Sequence, residues 1–259
     1  MGNLRQDLKS CVRLFLPSTV RPRRILSGPL RGSYIATSWQ NYPRAVLGQA
    51  EKGLLEWFAA NVRSGETWLD VGAYCGYTAL ALCRLVGSSG RVFAFEPVLE
   101  TAGHLASTRS ANRLEQLMIV PFALGNCDEL MPVMVPSARG MAAAPVRPAM
   151  NGATEPILII ALDHIWDRLC GDRAPIHGVK IDVQGAEVDV LKGMANLLIR
   201  HRPKLVVEIH PGVDRSEFLE AVESVGYLPQ GQPVDRQSEG GEVTYLDDRS
   251  YVFHAPVMA

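Results

Sequence analysis

From Thr67 onward the chain alternates strand-length apolar runs with helix-length segments, and few folds accept that rhythm. The spacing predicts strands over Thr67–Val71, Arg91–Phe95 and Leu117–Phe122, with helices over Tyr77–Val86 and from Leu99 to about Asn112 between them. A strand over Val179–Asp182, a helix over Ala186–Ile199 and a strand over Lys204–Ile209 come next. Asp214 caps the next helix, with Glu217 three residues on, and Gly226 closes it. Strands separated by helices of this length pair in parallel through right-handed crossovers. The expected fold class is therefore α/β, a mostly parallel doubly wound sheet with an antiparallel C-terminal strand.

The flanks are less regular. A helical pattern covers residues 3 to 16, with Leu4, Leu8, Cys11, Val12 and Phe15 on one face, and reads as packing against its own domain. Residues 17 to 47 carry Pro, Gly and Arg without a period. A second helical pattern starts near Ala50 and runs through Leu54, Leu55, Phe58 and Ala59. Residues 136 to 156 read as a mobile loop, and residues 229 to 249 as a polar stretch. Short strands are expected at Val243–Leu246 and Tyr251–His254.

With 259 residues, 47% of them hydrophobic, the chain can fill one large α/β core. Its 26 basic and 27 acidic residues leave a formal charge of −1, so there is no basic field to hold a polyanion, and nucleic acid is not an expected partner. Five cysteines with no C-x-x-C pair suggest neither a zinc site nor a disulfide framework, so reduced thiols and a cytoplasmic location are expected. No apolar run is long enough for a transmembrane segment, and Pro17 interrupts Leu14–Leu16 before a signal-peptide core can form.

In an open parallel sheet, ligands bind at the carboxyl ends of the strands. Four predicted strands end on or beside an acid: Asp70, Glu96, Asp182 and Glu208. Some of these would only cap the next helix or loop, but four unpaired carboxylates on a structural edge are costly. The first crossover reads D-x-G-x-x-x-G, from Asp70 to Gly76. Gly72 allows a sharp turn off the strand, and Gly76 opens the helix with room for a ligand. Tyr74 stands where a dinucleotide loop would carry its middle glycine, and no G-K-S/T follows. That loop suits a nucleoside lacking phosphates, of which S-adenosyl-L-methionine (SAM) is one. Glu96 lies 24 residues after Gly72, near the roughly 20 expected for an acid that accepts from ribose hydroxyls.

The set DVGAYCGYT (70–78), FEP (95–97), ALGN (123–126), KIDVQGAE (180–187) and VVEIH (206–210) resembles the FkbM family of methyltransferases. LDHIWDRL (162–169) resembles that family's leucine-aspartate lead-in, and the match runs from about Ile25 to Phe253. The resemblance implies a Rossmann-like class I fold and SAM-dependent O-methylation of a hydroxyl on a sugar, glycan or polyketide-like small molecule. It divides the chain into an N-terminal extension on the acceptor side (1–49) and a methyltransferase domain (50–259). Tyr74 and Cys75 stand where the family commonly has Asn and Ile, and Gln184 where it has Glu.

On this reading Asp70, Gly72, Ala73, Gly76, Glu96, Pro97 and Ala123 bind the cofactor. Asp182, Glu208 and His210 face the acceptor, with His210 as the base because an imidazole titrates near neutrality. Glu208 orients His210 or binds a substrate hydroxyl. Those three side chains also suit a divalent cation, although no metal is assigned. Lys180 is expected in a salt bridge and Cys75 in packing, while the helix dipole accounts for Glu187. The Trp39–Tyr42 stretch is a candidate lid over the acceptor. A homodimer is left open. The alternatives are a noncatalytic SAM- or nucleoside-binding module working through partners, and a methyltransferase acting on a macromolecule.

Overall fold

Strand β3 (Thr67–Val71) is buried at all five positions and lies in the interior of a seven-stranded sheet. On one side it pairs in parallel with β4 (Arg91–Phe95), which pairs with β5 (Leu117–Val120). On the other it pairs with β9 (Gly178–Ile181), which pairs with β10 (Lys204–Ile209). β12 (Arg249–Phe253) then runs antiparallel to β10, and the two-residue β11 (Gln232–Pro233) closes that edge. The computed structural model describes residues 16–134, 154–171, 174–235 and 244–256. The helical pattern at residues 3–15, most of the 136–156 loop and Val243 lie outside them.

Period-two alternation sends successive strand residues to opposite faces. Trp68, Val92, Ala94 and Val206 join one core, with Leu54, Leu55 and Phe58 of α2 (Lys52–Asn61), Leu80 and Cys83 of α3 (Tyr77–Val86) and Leu105 of α4 (Leu99–Asn112). Leu69, Val71, Phe93, Phe95, Ile181 and Val207 join the other. That second core is roofed by α5 (Leu162–Cys170), α6 (Glu187–Gly193), α7 (Ala195–His201) and α8 (Arg215–Ser224). Each of these buried apolar side chains contributes about 1.5–3 kcal/mol. The doubly wound expectation holds, and its antiparallel C-terminal strand is β12. No helix among the described residues is long and apolar enough to cross a membrane.

Several local expectations need correction. Residues 17 to 47 are not irregular throughout: β1 (Arg21–Arg24) and β2 (Tyr34–Thr37) form a hairpin, followed by α1 (Pro43–Leu47). The hairpin is tied to α4, with Ala36 N–H donating to Thr108 Oγ1 at 2.9 Å. Strand β5 stops at Val120, before Pro121, which has no N–H to offer the ladder. Short β6 (Ala123–Leu124), with β7 (Glu129–Met134) and β8 (Thr154–Ile160), forms a separate three-stranded sheet, so residues 154 to 156 are strand and not loop. Residues 244 to 246 carry no strand, and the last strand is Arg249–Phe253. Asp214 does cap α8, accepting from Glu217 N–H at 2.9 Å, and Gly226 follows the C-cap Val225 with φ 87°.

The single helix predicted over Ala186–Ile199 is two, broken at Met194. A Cβ on Gly193 would lie 1.6 Å from Gly125 O, so the backbones touch there. The N–H groups freed at the start of α7 find acceptors in α5: Asn196 and Leu197 donate to the Asp163 carboxylate at 2.9 and 3.0 Å. This is a helix cap supplied from a distance. Asp163→Ala is expected to cost about 0.5–2 kcal/mol, read as a lower urea midpoint at unchanged m-value.

Candidate active site

The strand order reverses between β3 and β9, and ligands of such sheets bind beside that switch point. A cavity of about 410 Å³ lies there, lined among others by Gly72, Ala73, Glu96, Pro97, Ala123, Asp182 and Glu208. All seven are sequence candidates. The other three, Asp70, Gly76 and His210, do not border it.

Asp70 is fully buried beneath the cavity. Its Cα sits opposite that of Lys180 in the β3–β9 register, so the two side chains lie side by side on one face. Lys180 Nζ is 3.0 Å from Asp70 Oδ1 and 3.2 Å from Asp182 Oδ2, and donates to Gly72 O at 3.1 Å. Thr78 Oγ1 donates to Asp70 Oδ2 at 2.7 Å. Burial alone would pull the Lys180 ammonium down, but Asp182 and Asp70 outweigh it and hold its pKa above the usual lysine value. Asp70 therefore buttresses the glycine loop and does not itself border the cavity. Lys180 forms the expected salt bridge and also borders the cavity.

Gly76 also changes its role. It takes φ 90°, and an added Cβ would lie 2.4 Å from Leu105 Cδ1, so it makes room for α4 and not for a ligand. Gly72 does make the sharp turn, with φ 79°, and an added Cβ would meet Asp182 O at 1.8 Å. Cys75 is buried in the core as expected, and burial pushes its thiol pKa up.

Glu96 stands on the cavity wall. Its two carboxylate oxygens accept from the backbone N–H groups of Tyr74 (2.9 Å) and Val98 (3.1 Å), which fix it while leaving each oxygen a further lone pair. Burial outweighs those two bonds and pushes its pKa up to about 7. Tyr74 makes this contact with its own φ at 50°, a left-handed conformation uncommon outside glycine.

At the opposite end, His210 is only 2% exposed, so it is not a solvated loop residue. Its Nδ1 is 2.6 Å from Glu187 Oε1, and Glu187 is itself fully buried. Glu187, and not Glu208, orients the ring; the helix dipole was an incomplete account of it. His210 Nε2 lies 2.6 Å from Gln184 Nε2, 3.3 Å from Asp182 Oδ1 and 3.6 Å from Glu208 Oε1. A neutral ring accepts from the Gln184 amide there, whereas a protonated ring needs the amide turned to present its oxygen. Burial pulls the His210 pKa down, but the Glu187 bond and the charges of Asp182, Glu187 and Glu208 raise it overall.

Glu208 borders the cavity in front of His210, and Ser250 Oγ donates to its Oε2 at 3.1 Å. Burial, then the charges of Asp182 and Glu51, push its pKa up to about 7. Glu51 is raised as well, by burial and then by Asp182. A second, more open groove of about 1110 Å³ shares Glu51 and Glu208 with the cavity and is also lined by Arg44, Trp57 and Arg249. Donor atoms of Asp182, Glu208 and His210 lie within 4.8 Å of one another, a spacing compatible with a divalent cation. Sequence reasoning missed Glu51, Tyr77 and the role of Glu187. Only the presence of Glu187 at the end of the KIDVQGAE segment hinted at it.

Residues 70–229, well over half the chain, match the family model described as the methyltransferase FkbM domain. The chain belongs to the FkbM methyltransferase family. It is also 30% identical over 182 residues to the hexuronic acid methyltransferase AglP of Haloferax volcanii, covering 68% of this chain and 64% of that relative. The chain thus spans less than two thirds of the length of the curated relative it matches. Among solved structures, a methyltransferase FkbM from Methylobacillus flagellatus aligns at 18% identity and TM-score 0.49, over 77% of this chain and 50% of that one. A putative rRNA-methylase from Clostridium thermocellum aligns at 13% identity and TM-score 0.48, over 77% of this chain and 91% of the other. Likenesses this distant carry no argument about the acceptor.

Proposed function

We propose that this FkbM-family chain is a SAM-dependent methyltransferase acting on a hydroxyl of a sugar, glycan or polyketide-like small molecule. The observation that carries the reading is Glu96, a carboxylate locked by two backbone N–H groups on the wall of a cavity at the switch point. SAM fits the residues present. The cavity's 410 Å³ is within the usual range for such a ligand, and Tyr77 on its wall has a buried hydroxyl without a partner among the described residues. Glu96 would hold the ribose, with Gly72, Ala73, Pro97 and Ala123 shaping the wall around the cofactor. When bound, SAM supplies a methyl group activated on a sulfonium.

The remaining chemistry belongs to the chain. An acceptor entering by the adjoining groove passes Glu51 and Glu208, the two residues that line both spaces. Glu208 takes the hydroxyl proton, and the charge of His210, held by Glu187 behind it, tunes how readily it does so. This moves the base role from His210 to Glu208. Asp182, steadied by Lys180, orients the acceptor. Residues 1–49 contribute the acceptor side, where Tyr42 borders the cavity and Arg44 the groove. Near-zero net charge supports a small acceptor over nucleic acid, and reduced cysteines support a cytoplasmic location. The hexuronic acid on which the AglP relative acts supports a sugar-like acceptor.

Calorimetry tests the cofactor reading. Wild-type protein is expected to bind SAM at micromolar Kd, and Glu96→Ala to weaken it by about 10²-fold, the worth of two charge-assisted hydrogen bonds at the low end of their range. No binding by the wild type would remove the methyltransferase reading.

A further inference from the structure

One wall of the cavity is built from tyrosine. Tyr42, just ahead of α1, meets Tyr74 edge-on at a centroid distance of 5.9 Å and Tyr77 at 6.0 Å. All three rings line the cavity. Tyr42 Oη donates to Glu51 Oε1 at 3.3 Å, which holds that carboxylate against the wall. Tyr77 is 3% exposed and lines the cavity, and its buried hydroxyl has no hydrogen-bond partner among the described residues. Buried polar groups are rarely left so, and this one belongs to a residue of the cavity wall.

Charge points the same way. Six carboxylates line the cavity, Glu51, Glu96, Glu129, Asp182, Asp189 and Glu208, against the single cation Lys180 among the described lining residues. Lys180 is already committed to Asp70 and Asp182. Aromatic faces add negative potential to this excess, which a cation inside the cavity would relieve.

We propose that Tyr42, Tyr74, Tyr77 and Glu51 form a charge-reading wall that favours the sulfonium of the methyl donor over the neutral thioether left after transfer. The proposal rests on the SAM reading above. Transfer breaks the carbon–sulfur bond and leaves its electron pair on sulfur. A carbon–oxygen bond forms to the acceptor, whose hydroxyl proton goes to Glu208. Sulfur thereby loses its positive charge, and the product loses the attraction that held the donor. The wall thus acts on product release as well as on donor capture, keeping S-adenosylhomocysteine from occupying the site.

The test is a comparison of binding constants, so it needs no acceptor and no turnover. SAM, S-adenosylhomocysteine and sinefungin, which carries an ammonium near the position of the sulfonium, are titrated into the full chain by calorimetry. EDTA is present throughout, so that no metal contributes. SAM and sinefungin are expected to bind at least tenfold more tightly than S-adenosylhomocysteine, about 1.4 kcal/mol. Glu51→Gln, which keeps shape and removes charge, is expected to bring the ratio within about threefold of one, with S-adenosylhomocysteine affinity nearly constant. Tyr77→Phe is expected to lower the ratio in the same direction. Equal or tighter binding of S-adenosylhomocysteine to the wild type overturns the wall, as does a ratio that survives Glu51→Gln. Failure of all three ligands to bind removes the cofactor reading itself, a different result from equal binding.

Discussion

Replacing Glu208 with Gln is expected to lower kcat for methyl transfer by about 10²–10⁴-fold, the usual worth of a positioned general base. SAM affinity should change by less than tenfold, since on the proposed reading Glu96 and the glycine turn hold the far end of the cofactor. The carboxylate is suited to the task because burial, Asp182 and Glu51 raise its pKa to about 7. A base must be deprotonated to act, so the wild-type rate should rise with pH up to about 7 and then level off. The amide variant should lose that rise. His210→Asn makes the comparison decisive, because His210 sits behind Glu208 and does not border the cavity. Its effect on kcat should be the smaller of the two. The reverse order would return the base role to the histidine.

The strands were legible because burial on both faces leaves near-continuous apolar runs, as at β3 with Trp68, Leu69 and Val71. The strand-end acids and Gly72 were legible from position alone, since a parallel sheet gathers its carboxyl ends at one edge. The features that escaped depend on contacts between residues far apart in sequence. Gly76 has the sequence position of a ligand cradle, yet Leu105 of α4 fills the space against it. The α6–α7 break depends on Gly125 and Asp163, neither of which is near it in sequence. The β1–β2 hairpin is held by Thr108 and Asn112, so its Arg- and Pro-rich sequence shows little pattern of its own. Nothing in the sequence around Glu51 points to a site, yet its left-handed backbone, φ 49°, starts α2 with this residue on the cavity wall. Glu187 had an ordinary explanation at a helix start. Only the fold shows that its Oε1 meets His210 Nδ1.

The largest effect on stability is expected from Lys180→Met. Lys180 and Asp70 are 3% and 0% exposed in their side chains, so solvent cannot compensate the carboxylate that remains. Removing one partner of a buried pair typically costs about 3–5 kcal/mol. For a chain of this size that corresponds to a fall in melting temperature of roughly 6–20 °C, at about 2–4 °C per kcal/mol. Asp70→Asn added to the same protein should restore much of the loss, because the orphaned charge is then gone and Thr78 can still bond the amide oxygen. That recovery distinguishes the two readings of Asp70. If Asp70 were a cofactor ligand, the double variant would regain stability but lose SAM binding beyond what Lys180→Met loses. If it is the buttress the geometry describes, SAM affinity should recover with the fold. The pair also carries a desolvation cost, since apolar residues of similar volume would pack there without burying two charges. Its position supplies the compensating gain. Lys180 reaches Gly72 O and Asp182 as well as Asp70, so one ammonium fixes the glycine turn on β3 to the acid after β9. The switch point is held rigid where, on the proposed reading, methyl donor and acceptor must be aligned.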